Sequence, residues 1–252
     1  MRLDIYLVQI GLYKSRNKAL EGIRRGEVLL NGKVCDKPST LVSEKDCVSL
    51  AATEKPFVSI GGDKLNRAIQ KLDPSIQGRV FIDIGASTGG FTDCLLRRGA
   101  KKVYCVDVGE NLLDPTISSD ERVTVMDRTN ARYLTPNDFE ERADGIVVDC
   151  SFISLEYILP SISNLLDENG FIMALIKPQF ELKERKKLKN GILKDEKERD
   201  KILKRLYDFT NELQLIPKSM VSVTVDNKKN QEYIFLISKS GSPTCFEKIM
   251  FD

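Results

Sequence analysis

Residues 79–91 read Arg79-Val80-Phe81-Ile82-Asp83-Ile84-Gly85-Ala86-Ser87-Thr88-Gly89-Gly90-Phe91. The run from Val80 to Ile84 is apolar and rich in β-branched residues apart from Asp83, the pattern of a buried parallel strand. Gly85, Gly89 and Gly90 permit positive φ or a close approach of backbone to a ligand. Thr92-Asp93-Cys94-Leu95-Leu96 then starts a helix whose first N–H groups lack intrahelical partners. Strand, glycine turn and helix together make a nucleotide-type site, although a tight turn without a ligand has the same local sequence. The dinucleotide fingerprint is G-x-G-x-x-G. Here the spacing is G-x-x-x-G-G, with Ser87 where the second glycine belongs, which argues against a pyrophosphate cradle and an NAD oxidoreductase.

The same spacing, D-x-G-x-x-x-G-G at a strand end, resembles the first motif of S-adenosylmethionine-dependent methyltransferases. That resemblance implies cofactor contacts from Asp83, Gly85, Ala86, Ser87, Thr88, Gly89, Gly90 and Phe91. Outward from this stretch, apolar runs recur at 102–106, 123–126, 145–148, 171–176, 220–225 and 233–237, separated by helical patterns at 91–98, 155–165 and 197–213. The alternation predicts a doubly wound, Rossmann-like α/β sheet. Ligands in such sheets bind beyond the carboxyl ends of the strands. Charged residues fall there repeatedly: Asp107, Asp127, Asp149 and Lys177 follow four of the runs, and Glu232 precedes the last. Asp107, about twenty residues after the glycine turn, is placed to accept hydrogen bonds from ribose hydroxyls. Asp127 is placed to meet an adenine edge.

The chain has 252 residues, a net charge of +2 and 41% hydrophobic residues, enough for one large domain or a medium one with a small companion. Residues 1–58 carry ten Lys/Arg against seven Asp/Glu, so the positive excess sits in the N-terminal segment and hints at an anionic partner. Arg2 and Asp4 interrupt any signal-like apolar run, and no stretch reaches the roughly 18 apolar residues of a membrane span. The six cysteines are scattered without a C-x-x-C pair, which reads as free thiols in a cytoplasmic protein. With no histidine, histidine-based acid–base catalysis is excluded and no metal site is expected.

The N-terminal segment reads as a helix with Leu3, Tyr6, Leu7 and Ile10 on one face, ended by Gly11. Ser15 then caps a second helix over 16–25. Lys14, Arg16, Lys18, Arg24 and Arg25 project positive charge from it. Val28-Leu29-Leu30, Asn31-Gly32 and Lys33-Val34 read as strand, tight turn and strand. Arg2-Leu3-Asp4, Ser15-Arg16, Ala19, Ile23, Gly26-Glu27-Val28 and Asn31-Gly32 resemble the alpha-L motif of a ribosomal protein and several RNA-modifying enzymes. That resemblance implies a small α+β RNA-binding domain over 1–58, with Lys14, Arg16, Lys18, Arg24, Arg25 and Lys33 meeting phosphates. A solvated helix face has the same composition.

Residues 51–56 read as a linker, followed by Ser59-Ile60-Gly61-Gly62-Asp63-Lys64-Leu65 and a helix from 66 to 72. A cation at a helix start opposes the dipole, so Lys64 has little structural reason to be there. Lys177 follows six apolar residues and precedes Pro178. Held between Asp149 and Glu232, it would present a fixed positive charge to a developing alkoxide. Lys64, Asp149, Lys177 and Glu232 match the catalytic Lys-Asp-Lys-Glu tetrad of FtsJ-like ribose 2′-O-methyltransferases. The runs Gly61-Gly62-Asp63-Lys64-Leu65, Asp83 to Asp93, Asp149-Cys150-Ser151-Phe152-Ile153-Ser154-Leu155 and Lys177-Pro178-Gln179-Phe180-Glu181 resemble the TlyA (haemolysin A) family. The resemblance implies a catalytic domain over 59–252 that uses S-adenosylmethionine to methylate cytidine ribose in ribosomal RNA of one or both subunits. It departs from the family in the basic run 183–189, for which RNA contact and a solvated charge run are equal readings, in the lone Gly191, and in Lys229-Asn230 before Glu232. A membrane-acting haemolysin, the other name the family carries, and a non-catalytic ribosome-assembly factor are the competing readings.

Overall fold

The structure is a computed structural model that describes residues 1–24, 26–43, 45–50, 56–183, 188, 190–224 and 229–251. It divides into two compact units, Met1–Pro56 and Phe57–Asp252. In the first, α1 (Leu3–Gln9) and α2 (Arg16–Arg24) precede β1 (Val28–Leu30), β2 (Lys33–Val34) and β3 (Val48–Leu50). The strands form an antiparallel sheet in the order β2-β1-β3. Asn31 and Gly32 both take positive φ in the β1–β2 turn, as a tight hairpin requires. Leu3, Leu7, Ala19, Ile23, Val28 and Val42 make the core. Asp4 is wholly buried beside it and binds Arg2 Nε at 3.0 Å and Arg16 Nε at 2.8 Å. Hydrogen bonds from Arg2, then Arg16, hold its carboxyl down to about 2.

The second unit comprises α3 (Ile60–Leu72), β4 (Val80–Ile84), α4 (Gly90–Arg97), β5 (Lys102–Val106), α5 (Pro115–Ser118), β6 (Val123–Met126), β7 (Ala143–Val148), α6 (Leu159–Ile162), β8 (Leu166–Ile176), α7 (Pro178–Glu181), α8 (Glu196–Glu212), β9 (Ile216–Ser222), β10 (Tyr233–Ser238) and β11 (Met250–Phe251). One sheet contains all eight strands in the order β11-β9-β10-β8-β7-β4-β5-β6. β6, β5, β4, β7 and β8 run parallel; β10 is antiparallel to both β8 and β9. The chain steps outward from β4 to β6 and returns on the other side of β4 with β7, so the topological switch lies between β4 and β7. A crevice opens at such a point beyond the strand ends.

Every residue of β4 is buried, and apolar layers cover both faces of the sheet. Phe81, wholly buried, meets Phe171 edge-on at 5.9 Å. Burial of a side chain this large stabilises the unit by ~1.5–3 kcal/mol. Two helices differ from the sequence expectation. The helix expected over 155–165 is broken into α6 between two 3₁₀ turns, with Pro160 in its first turn. The helix expected from 66 begins at Ile60, so Gly61 and Gly62 lie inside it. Their place there is explained by packing. A Cβ on Gly62 would lie 2.9 Å from the Gly90 carbonyl oxygen, and one on Gly90 would lie 2.9 Å from the Gly62 nitrogen. α3 and α4 therefore touch backbone to backbone, which overrides the low helix propensity of glycine. Among the described residues no helix is long and apolar enough to cross a membrane, and no cluster of three or more His, Cys, Asp or Glu could hold a metal.

Candidate active site

The glycine turn after β4 fits against the end of β7. Gly85 has φ +80°, and a Cβ there would lie 2.8 Å from the Asp149 carbonyl oxygen. No side chain could sit between these two strand ends. Ser87 also takes positive φ, at 48°. Its N–H donates to Asp107 Oδ2 at 2.8 Å, while Gly109 N–H donates to Asp107 Oδ1 at 2.8 Å. Asp107 thus fixes the turns after β4 and β5, and a carboxylate oxygen has a second lone pair free for a ligand hydroxyl.

Asp83 sits one residue before the end of β4 and is fully buried. Thr92 Oγ1 donates to its Oδ2 at 2.6 Å, and its Oδ1 has no hydrogen-bond partner among the described residues. Burial pushes its carboxyl up to about 7, against the hydrogen bond from Thr92. Its contact with the first turn of α4 makes it a brace for the glycine turn. Asp93, almost buried, takes a bidentate hydrogen bond from Arg97 at 2.7 and 2.8 Å and another from Val58 N–H at 3.0 Å. It anchors the approach to α3.

Two cavities flank the turn. One, of about 410 Å³, is lined by Gly85, Ser87 and Asp107, by Val108 and Leu112, and by residues 129–132. The other, of about 400 Å³, is lined by Gly61 and Lys64 from α3, by Ala86, Ser87, Thr88, Gly90 and Phe91, and by Asp149, Ser151 and Lys177. Gly89 packs against Leu113 and Ile117 and lines neither. Asp127, expected at the adenine edge, also lines neither: its Oδ2 accepts Asn111 N–H at 2.9 Å and holds the turn after β5. Residues 129–132, which have no strand-end signature, line the first cavity.

The four residues of the tetrad form two ion pairs. Lys177 Nζ lies 2.5 Å from Asp149 Oδ1 and donates to Ser151 Oγ at 2.9 Å. Lys64 Nζ lies 2.5 Å from Glu232 Oε2. All four side chains are between 11% and 22% exposed, so solvent screens them little. Sequence reasoning placed Lys177 between Asp149 and Glu232; instead Glu232 turns to Lys64. β10 runs antiparallel to β8 with Tyr233 opposite Ile176, which sets Glu232 beside Lys177 in register, yet its carboxylate meets Lys64 of α3. Asp149 extends the ladder, its N–H donating to Ile84 O at 2.9 Å.

Glu181 was missed as a site residue. It is 2% exposed at its side chain and accepts Ser154 Oγ–H at 2.5 Å, Leu155 N–H at 3.0 Å and Arg205 Nη2 at 3.4 Å. It joins the segment after Lys177 to the segment after Asp149. Burial raises its carboxyl above the usual range. The run Lys177-Pro178-Gln179-Phe180-Glu181 was noticed, but nothing in it reveals that the glutamate points inward.

In the N-terminal unit, Lys14, Arg24 and Lys33 are exposed. Lys18 pairs with Glu21 at 3.0 Å. Arg16 is partly committed to Asp4. Arg25 lies outside the described residues, as do the linker at 51–55 and positions 184–187 and 189 of the basic run.

Residues 57–239 match the FtsJ-like methyltransferase family, and residues 1–48 match the S4 domain. The chain belongs to the FtsJ-like methyltransferases. Its relatives include the 16S/23S rRNA (cytidine-2′-O)-methyltransferase TlyA of Mycobacterium tuberculosis, 42% identical over 72% of this chain and 68% of that protein. The 23S rRNA (cytidine-2′-O)-methyltransferase TlyA of Campylobacter jejuni is 34% identical over 95% of this chain and 100% of that protein. A solved structure of a candidate hemolysin from Streptococcus thermophilus superposes with a TM-score of 0.72 at 35% identity, covering 99% of this chain and 94% of that one. The TlyA resemblance and the Rossmann-like methyltransferase fold therefore both hold. As an FtsJ-like methyltransferase, the enzyme uses S-adenosylmethionine. The residues present fit that cofactor. Asp107 offers acceptors for hydroxyls, Val108 and Leu112 offer apolar wall, and the Cβ-free Gly85 keeps the turn open between two cavities of ligand size.

Proposed function

We propose that this protein methylates the 2′-hydroxyl of a cytidine ribose in ribosomal RNA, that the S4 unit binds the RNA, and that the enzyme works in the cytoplasm. The observation that carries the reading is the Lys177–Asp149 pair at 2.5 Å, set on the rim of the glycine-turn cavity. The names of the TlyA relatives supply the substrate class. S-adenosylmethionine supplies an electrophilic methyl group. The difficulty left to the protein is the acceptor, because a ribose hydroxyl is a weak nucleophile until it loses its proton. Lys177 places a fixed positive charge where the alkoxide develops, and such preorganised charge is the largest common term in catalysis. Asp149 balances Lys177 and, through Oδ2, is the carboxylate positioned to take the hydroxyl proton. Ser151 holds Lys177 from a second side. Lys64, balanced by Glu232, orients the ribose from the α3 side. Holding acceptor and donor in line supplies much of the remaining acceleration. On this reading Asp107 and the turn from Gly85 to Phe91 hold the cofactor, while Lys14, Arg16, Lys18, Arg24, Arg25 and Lys33 contact phosphates.

The test is methyl transfer to purified ribosomal subunits, with sites mapped as 2′-O-methyl cytidine. Lys177→Ala is expected to lose at least about a hundred-fold in kcat while retaining S-adenosylmethionine affinity by calorimetry. Full activity in that variant refutes the assignment of Lys177, and a methyl group found on a base refutes ribose as the acceptor.

A further inference from the structure

A third cavity, of about 640 Å³, is lined by Lys194, Arg199, Ser222, Thr224, Lys229 and Gln231, with an apolar patch beneath. Each of those six side chains can donate a hydrogen bond, and none is acidic. Arg199 stands in the second turn of α8, with its side chain only 14% exposed. Its Nε has no hydrogen-bond partner among the described residues. Its ion pair is a long one, 3.4 Å from Nη2 to Glu196, whose side chain is 83% exposed. A guanidinium sunk into a wall with an unused N–H is costly unless something completes it. A phosphate oxygen does so well, because the arginine fork matches its geometry.

The cavity adjoins the one that reaches the tetrad. Thr224 and Lys229 also line the cavity that holds Lys64 and Glu232. Lys64 in turn lines the one that holds Lys177. Thr224 Oγ1 accepts Glu232 N–H at 3.0 Å, so the cationic wall is bonded to the tetrad itself. A strand whose ribose sits at Lys177 and which passes Lys64 comes next to Lys194, Arg199 and Lys229.

From this path we infer that the Lys194–Arg199–Lys229 cavity is a phosphodiester site for the RNA strand flanking the acceptor nucleotide. The inference rests on the RNA-methylation reading above. It assigns strand positioning to the catalytic unit, separately from the S4 unit.

The test uses the full chain and the double variant Lys194→Ala/Lys229→Ala, whose two side chains are exposed and whose removal leaves the core intact. Arg199→Gln is made separately. Affinity for an rRNA fragment carrying the target is measured by fluorescence anisotropy across a salt series. Methyl transfer gives KM and kcat, and calorimetry gives S-adenosylmethionine affinity. In the double variant the slope of log affinity against log salt is expected to fall by about 1–2, as two lost phosphate contacts require. The RNA KM is expected to rise roughly ten-fold, with cofactor affinity retained. An unchanged slope and KM overturn the inference. So does loss of inorganic phosphate binding with RNA affinity intact, which would make this a small-anion site. If wild-type protein transfers no methyl group to rRNA, the functional reading fails, while the salt slopes still decide whether RNA occupies this cavity.

Discussion

Glu181 bonds the two segments that carry Asp149 and Lys177, and removing it should loosen both. Glu181→Ala strands Leu155 N–H and Ser154 Oγ–H, while Arg205 keeps Glu156 at 3.0 Å and the residue-181 carbonyl. Each of the two orphaned donors costs ~1–3 kcal/mol. We therefore expect a loss of about 4 kcal/mol. For a unit of this size that lowers Tm by roughly 8–16 °C. Glu181→Gln keeps the shape and one acceptor, and should cost about 1–2 kcal/mol. Thermal unfolding of the full chain gives these values, and methyl transfer at a temperature where both variants remain folded gives kcat. Because the ion pair is held at 2.5 Å by segments that Glu181 ties together, kcat should fall in Glu181→Gln while S-adenosylmethionine affinity stays. A Gln variant with wild-type Tm and wild-type kcat would show that Glu181 braces nothing.

Asp107→Ala removes the acceptor for Ser87 and Gly109 N–H and should weaken S-adenosylmethionine binding roughly ten- to hundred-fold, at 1.4 kcal/mol per decade; an unchanged Kd in calorimetry refutes this. Gly62→Ala drives a methyl group against the Gly90 carbonyl oxygen, so it should cost ~1–3 kcal/mol and displace Lys64, read as lower Tm and lower kcat together; a variant with wild-type values contradicts the close helix contact. Asp83, raised from 3.8 to about 7 by burial, favours the folded state most when protonated. Its contribution is fully present below about pH 4 and is lost as pH rises through about 7. At 1.36 kcal/mol per unit the change amounts to about 4 kcal/mol. Asp83→Asn should therefore gain on the wild type in urea unfolding as pH goes from 4 to 8, and parallel profiles would refute the burial of an ionisable carboxyl there.

The parallel strands were legible because each is a short apolar run between turn residues, and β4, β5 and β6 fall where the runs do. β8 begins earlier than its apolar run, at Leu166, because pairing with β7 draws in polar residues. β9 begins at Ile216, where Pro217 weakens any strand signal. The switch-point residues Gly85 and Asp149 were legible as strand ends. Partner choice was not: the β8–β10 register sets Glu232 opposite Lys177, and nothing local tells it to meet Lys64 of α3 instead. Nor was the inward turn of Glu181, or the wall at 129–132, where the chain follows no periodic pattern.

Lys64 and its counter-charge are separated by 168 positions, with almost the entire catalytic sheet between them. During synthesis the lysine emerges long before the glutamate, so a nascent chain carries an unbalanced cation at the mouth of a half-built crevice. On the proposed reading, competence to act on RNA arrives only when β10 brings Glu232 to Lys64. On that reading methylation is tied to completion of the sheet.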